Sequence, residues 1–339
     1  MIFETVVGIF VKLKKFSAAE LTGSVTEYGL PSITGRAEFD GKGGDGSVVY
    51  SDHFLQVLND ALKACDIKLW VLLDRLDEAF QGYQDVEVPA LRALFRTYLD
   101  MTSLDFLRLK LFVRKDLFRK ITEGGFVNLT HINSKKVEIV WEEDDLLNML
   151  CRRIRKKKFM NSIGFLSDDR GDKDLFYKVF PSQVDSGTRK PETLTWIMSR
   201  IRDGNNIRPP RNLLDLVLNA LQAQFRREER DGRPFVSNDP LIESESLRKA
   251  QKKLSADRVQ DTLFAEAGGD LVASLEQFRD QKAEQNRQTI AKLLGLSEAD
   301  AMSRIRRLVE LGFLEEIGAS YKIPMLYREG LNITQGKAF

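Results

Sequence analysis

The chain has 339 residues, which at roughly 150 residues per domain favours two or three domains over one. Its 52 lysines and arginines nearly balance 50 aspartates and glutamates, so any nucleic-acid contact must come from a local basic patch. Two cysteines and two histidines are too few for a disulfide scaffold or a zinc site of the usual spacing. Apolar runs are far shorter than a bilayer span, and the N-terminus lacks signal-peptide features, so we expect a cytoplasmic protein with no membrane partner.

Strand and helix patterns alternate in the first part of the chain. The predicted strands are Val48–Tyr50, Ile67–Leu73, Leu107–Val113 and Val137–Val140. Apolar residues at helical spacing predict helices over Phe54–Ala64 and Val88–Thr102. The two middle strands are almost wholly apolar, which is typical of parallel strands covered on both faces. We therefore predict an α/β domain at residues 1–155.

Two further stretches of this region have competing interpretations. The glycine-rich Gly41–Gly46 suggests a phosphate-binding loop, but no Ser or Thr follows Lys42, and a turn or loop is the preferred interpretation. The basic run Arg152–Lys158 suits phosphate contacts, yet a solvated helix end or interdomain face is the more common use of such a run.

Helical patterns dominate the next part of the chain. Pro191 begins one helix, Pro209-Pro210 precede a second, and Gly268-Gly269 mark a turn. The helices continue to about Gln285. We predict a helical lid or linker domain at residues 156–285.

Three carboxylates follow the apolar run Leu69–Leu73. They are Asp74, Asp77 and Glu78. The carboxyl end of a buried parallel strand is where open α/β sheets bind ligands, so this position favours a functional site. The alternative is a strand followed by a solvated turn.

Four stretches resemble the STAND and AAA+-like P-loop ATPases. They are Trp70–Phe80 (WVLLDRLDEAF), Leu109–Phe118 (LKLFVRKDLF), Ile207–Leu214 (IRPPRNLL) and Leu311–Leu331 (LGFLEEIGASYKIPMLYREGL). The chain is similar to the C-terminal two-thirds of a bacterial group of predicted DNA-repair-type ATPases. This resemblance implies part of a P-loop parallel sheet, then a helical lid and a winged helix-turn-helix.

The resemblance assigns roles to five residues. It makes Asp74 the Walker B acid that binds Mg²⁺ through water, Glu78 the base that activates water, and Asp77 a second candidate. Arg114 would sense the γ-phosphate of ATP, and Arg211 would reach the phosphates from the lid. The simpler alternatives are a surface salt bridge for Arg114 and a cation at a helix start for Arg211.

One part of the family pattern is missing, because the motif G-x-x-x-x-G-K-[ST] occurs nowhere in this sequence. Without its amides and lysine, most of the phosphate cradle is absent. Either the ancestral N-terminus is missing or the ATPase has degenerated. ATP and Mg²⁺ are therefore expected only if a Walker A segment completes the site.

Residues 286–339 have the pattern of a winged helix-turn-helix. Thr289–Leu294 and Ala299–Leu311 are the two helices, and strands on either side of Gly318 form the wing. Met302, Ile305, Leu308 and Val309 are expected to face inward. Arg304, Arg306 and Arg307 are expected to face outward and to contact duplex DNA.

Two functions follow from these patterns. The first is a nucleotide-regulated switch, derived from a P-loop ATPase, that acts with DNA but cannot hydrolyse ATP alone. The second is a non-catalytic protein that binds DNA or another protein through its winged helix. A homo-oligomer or a partner protein is compatible with both. A hydrolase with a nucleophilic triad has no motif to support it.

Overall fold

The computed structural model describes residues 20–25, 31–36, 51–76, 84–123, 125–156, 171–234 and 239–339. Over these residues the fold is mixed α/β, mostly helical, with small sheets. The chain divides into two compact units, Met1–Glu138 and Ile139–Phe339. The predicted strand Val48–Tyr50 and the glycine-rich Gly41–Gly46 lie outside the described residues.

The first unit contains a hairpin, a parallel strand pair and helices. Its strands are β1 (Glu20–Val25), β2 (Pro31–Arg36), β3 (Leu69–Leu73) and β4 (Leu107–Leu111). Its helices are α1 (Ser51–Ala64), α2 (Gln84–Asp100, followed by the 3-10 turn Met101–Ser103), α3 (Lys115–Thr122) and α4 (Leu129–Lys135). The hairpin β1–β2 is antiparallel, whereas β3 and β4 are parallel. The predicted order of strand, helix and parallel strand is confirmed.

Described residues pack against only one face of the β3–β4 pair. Val71 and Leu109 contact an apolar cluster that contains Leu62, Met101, Leu104 and Leu107. On the other face Trp70, Leu72 and Phe112 are 52%, 60% and 44% exposed. Successive side chains of a strand point to opposite faces, so covering one face leaves every second residue in solvent. The prediction that both faces are covered is wrong for these strands.

The predicted strand Val137–Val140 is also wrong. This segment has no strand assignment, and Val137, Ile139 and Val140 are 86%, 72% and 59% exposed. Its alternating sequence suits a strand, but a strand forms only where a neighbour accepts its hydrogen bonds. Within the described chain, no strand pairs with it.

The second unit is mainly helical. Its helices are α5 (Glu143–Arg155), α6 (Asp172–Val179), α7 (Thr193–Arg200), α8 (Pro210–Arg230), α9 (Ser244–Arg258), α10 (Gly269–Glu276), α11 (Arg287–Leu294), α12 (Glu298–Glu310) and α13 (Met325–Arg328). Helix α9 continues through the π-helical Val259–Phe264 and the turn Ala265–Ala267. The strands are β5 (Lys282–Asn286), β6 (Glu315–Ile317), β7 (Ser320–Lys322) and β8 (Thr334–Lys337).

These four strands form one sheet in the order β6-β7-β5-β8. Strand β5 pairs antiparallel with β7 and parallel with β8, so it is a central strand. The prediction that helices continue to about Gln285 is therefore wrong. The segment KAEQN is mostly polar, so its composition does not indicate a strand. Ala283 and Gln285 are nevertheless buried, and burial of every second residue is the pattern of a strand.

A single apolar core holds the second unit together. It includes Leu146 of α5, Phe176 of α6, Leu213 of α8, Ile305 of α12 and Leu331 after α13. Because α5 packs into this core, the boundary between the units lies at Glu138/Ile139, whereas the sequence places it at residue 155. The predicted lid, 156–285, and the C-terminal module, 286–339, share this core.

A loop after α7 is fixed to the turn after α12. The N–H of Gly204 donates to the carbonyl of Gly312 at 2.7 Å, and Asn205 Nδ2 donates to the carbonyl of Glu310 at 3.2 Å. A Cβ added to Gly204 would lie 2.6 Å from the carbonyl oxygen of Leu314. The close backbone approach therefore requires glycine at this position.

We expect Gly204→Ala to lower the free energy of unfolding by about 1–3 kcal/mol, because its methyl group must displace backbone. The matched control is Gly232→Ala, whose Cβ would lie 3.8 Å from the nearest atom, the carbonyl oxygen of Glu228. We expect the control to change stability by less than about 0.5 kcal/mol. Urea denaturation followed by tryptophan fluorescence measures both variants, and equal stabilities would contradict the close packing.

Candidate functional site

Asp74 and Arg114 follow the carboxyl ends of two paired parallel strands. Leu73 lies opposite Leu111, and the N–H of Phe112 donates to the carbonyl of Leu73 at 2.9 Å. The ends of β3 and β4 therefore lie at the same edge of the sheet. The structure places Asp74 and Arg114 at the edge where the sequence predicts a ligand site.

Both side chains already have local partners. Arg114 Nε and Nη2 donate to the two carboxylate oxygens of Asp116 at 3.1 and 3.2 Å. Burial tends to raise the pKa of Asp116, but the hydrogen bond and charge of Arg114, together with backbone hydrogen bonds, outweigh burial and lower the pKa. Asp74 is exposed, and its Oδ1 accepts the N–H of Arg75 at 2.8 Å. Arg114 is therefore in a surface salt bridge.

The described residues at this edge do not fit an ATP·Mg²⁺ site by themselves. Asp77 and Glu78 lie outside the described residues. Across the described ranges, no group of three or more His, Cys, Asp or Glu side chains could hold a metal ion. One exposed carboxylate and one paired arginine supply neither the amides nor the lysine that cradle phosphates.

Arg211 begins α8 in the second unit, whereas Asp74 belongs to the first. Its side chain is exposed and contacts no charged partner among the described residues. The nearby Arg208 is the anchored arginine, because its Nη2 lies 2.9 Å from Glu143 and its side chain is only 15% exposed. Within the second unit, Arg211 is therefore an exposed cation in the first turn of a helix.

Helices α11 and α12 follow each other directly, and their ends are set by local sequence. The N–H of Thr289 donates to Asn286 Oδ1 at 2.8 Å at the start of α11, and Gly295 ends that helix with φ 64°. Ser297 Oγ accepts the N–H of Asp300 at 3.2 Å and begins α12. Ala301, Ile305 and Leu308 are the buried face of α12.

The three arginines of α12 have different surroundings. Arg306 is exposed and has no hydrogen-bond or ion-pair partner among the described residues. Arg304 and Arg307 both contact Asp270, in the first turn of α10, with Nη1 to Oδ2 distances of 2.9 and 2.6 Å. Arg304 is 23% exposed and is therefore the most buried of the three, and its contact with Asp270 lies at the surface.

Asp270 gives this cluster its electrostatic character. The hydrogen bond from Arg307, with a further one from Arg304, lowers the pKa of Asp270 to about 2. The carboxylate therefore stays charged at neutral pH, and two guanidinium groups converge on one oxyanion. Guanidinium groups form charge-assisted hydrogen bonds with carboxylate and with phosphate oxygens.

Sequence reasoning missed two contacts: the pairing of Asp270 with α12, and the pairing of Arg202 with Glu315. Asp270 follows Gly268-Gly269, which is a visible turn signal, but its pairing with a helix more than thirty residues later has no local signature. Arg202 makes a two-pronged contact with Glu315, at 3.0 and 3.2 Å, that joins the loop after α7 to β6.

A catalytic cysteine has little support. Burial raises the pKa of the Cys151 thiol to about 12, and its Sγ donates to the carbonyl of Asp172, so this cysteine is not a nucleophile at neutral pH.

Among the helices of the described chain, none is long and apolar enough to cross a membrane.

Comparison with known proteins gives no relative. No family model, curated protein or solved structure matches the chain.

Proposed function

We propose that this chain is a P-loop ATPase-derived module that binds duplex DNA through a winged helix, formed by α11, α12 and the β6–β7 hairpin. The observation that carries the proposal is the convergence of Arg304 and Arg307 on one oxyanion, Asp270. A DNA phosphate offers the same kind of oxygen atoms to these guanidinium groups.

The order of elements supports the winged-helix part of the proposal. Helix α12 is the second helix of a helix-turn-helix, and the two strands that follow it are joined at Gly318, which has φ 60°. In a winged helix the second helix enters the major groove of DNA. Arg306, exposed and unpaired within the described residues, would then lie near a phosphate or a base edge.

Asp270 would compete with DNA for the same two arginines. Because the side chains of Arg304, Arg307 and Asp270 are all partly exposed, a competing phosphate can reach their ion pairs. DNA binding would therefore release Asp270 to solvent. Its low pKa means that acidification within the physiological range does not release it.

The first unit would serve as a scaffold. Its parallel strands β3 and β4 and the strand-end Asp74 support descent from an ATPase, but the sequence contains no Walker A motif. Control by nucleotide would need a P-loop from elsewhere. We propose no hydrolysis step for this polypeptide.

A protein-binding winged helix is the second candidate. The observation that favours it is the number of exposed acids on and beside α12, which oppose a phosphate backbone. They are Glu298, Asp300, Glu310 and Glu316. DNA binding and protein binding differ in their dependence on salt concentration.

We expect this chain to bind ATP·Mg²⁺ weakly or not at all. The Walker A amides and lysine supply charge-assisted hydrogen bonds, each worth roughly 1.5–3 kcal/mol, and this sequence lacks them. Isothermal titration calorimetry measures the affinity directly. A micromolar dissociation constant would overturn the expectation.

Replacement of Arg304, Arg306 and Arg307 by alanine should lower the affinity for duplex DNA while thermal stability changes little. Phosphate binding releases counterions from DNA, so the slope of log K against log salt should flatten by about 0.9 for each phosphate that an arginine no longer neutralises. Fluorescence anisotropy with labelled duplex DNA at several salt concentrations measures this slope.

The control removes the same charge from exposed arginines off α12 and outside the basic run, with Arg189, Arg226 and Arg230 replaced by alanine. We expect the control to reduce DNA affinity less and to keep most of the salt slope. Equal reductions in the two variants would mean that only net charge matters. Unchanged DNA binding in the α12 variant would favour the protein-binding candidate.

A further inference from the structure

Helix α8 has a second apolar stripe beside its core face. Leu213, Leu216 and Ala220 are buried in the core. The stripe consists of Leu214, Leu218, Leu221 and Phe225, which we call the α8 seam. At these spacings of four, three and four residues, side chains lie in one line along a helix, as at the a and d positions of a coiled coil.

The α8 seam is largely in solvent. Leu218, Leu221 and Phe225 are 55%, 37% and 56% exposed, and Leu214 is half-buried. Single exposed apolar residues are common on protein surfaces, but a continuous row of them along a six-turn helix marks an interaction surface. Neither the ATPase resemblance nor DNA binding uses this row.

The ends of the α8 seam carry opposite, unpaired charges. Arg211 precedes the seam and Glu229 follows it, at nearly equal distances from its midpoint between Leu218 and Leu221. Both side chains are exposed, and neither has an ion-pair partner among the described residues. On a helical projection they lie on the same flank of the seam.

We propose that the α8 seam is a homodimer interface in which two copies of this helix pair antiparallel about a two-fold axis. The axis passes between Leu218 and Leu221, so these two residues contact their counterparts in the second copy. Leu214 then meets Phe225 of the second copy. At each end Arg211 meets Glu229 of the second copy, since a two-fold axis brings together residues of the same flank.

Charge identifies the second copy as the partner and sets the direction of pairing. A parallel pair would bring both Arg211 side chains to one end of the interface and both Glu229 side chains to the other, so neither charge would meet an opposite one. The antiparallel pair makes two attractive contacts from the same four residues. The interface is one helix wide and smaller than the roughly 800 Å² per partner of a standard interface, so we expect micromolar affinity.

The first test is sedimentation velocity of the full chain over a range of concentrations. The wild type should change reversibly from monomer to dimer, and Leu218→Glu should stay monomeric. Leu72→Glu is the matched control, because Leu72 is an exposed leucine on β3, outside the seam. A wild type that stays monomeric at about 100 µM, or a dimer that only Leu72→Glu disrupts, would overturn the proposal.

The second test exchanges the end charges. Arg211→Glu and Glu229→Arg should each weaken dimerisation at least tenfold, and an equimolar mixture of the two variants should restore it. The double variant should also form a homodimer, because each end again joins opposite charges in the antiparallel pair. A double variant that stays as weak as the single ones would overturn the antiparallel arrangement.

Discussion

The buried apolar core of the second unit is the constraint on which both proposed surfaces depend. Helices α8 and α12 each place one face in it, through Leu213 and Leu216 on the first and Ile305 and Leu308 on the second. Neither helix can rotate without opening this core. The α8 seam and the arginines of α12 are therefore held in fixed orientations within one body. A two-fold dimer through α8 would present two copies of α12, which matches a DNA site with two-fold symmetry.

Local signals made much of this unit predictable. Pro210 begins α8, Gly268 forms a turn with φ 75°, and Asn286 and Ser297 cap the starts of α11 and α12. Each of these signals acts through backbone groups within a few residues. The parallel pairing of β3 and β4 was also predictable, because a helix lies between two apolar strands.

Features that depend on distant residues were not predictable. The apolar sequence of β3 does not reveal that one face remains exposed, since covering depends on what packs against it. The polar composition of β5 conceals a strand whose hydrogen bonds come from β7 and β8. The pairing of Arg304 and Arg307 with Asp270 joins two helices that are distant in sequence, so no local pattern predicts it. The predicted roles of Asp77 and Glu78 stay predictions.

The affinity of Asp270→Asn for duplex DNA tests the central claim most directly, because this change removes the negative charge that Arg304 and Arg307 share and leaves every arginine in place. The matched control is Asp300→Asn, which removes the same charge from α12 itself, where Asp300 contacts Ser297. Anisotropy titrations at low salt should show a larger gain in affinity for Asp270→Asn than for the control, with a steeper dependence on salt. An equal gain in the two variants, or no gain in either, would contradict phosphate binding by these arginines.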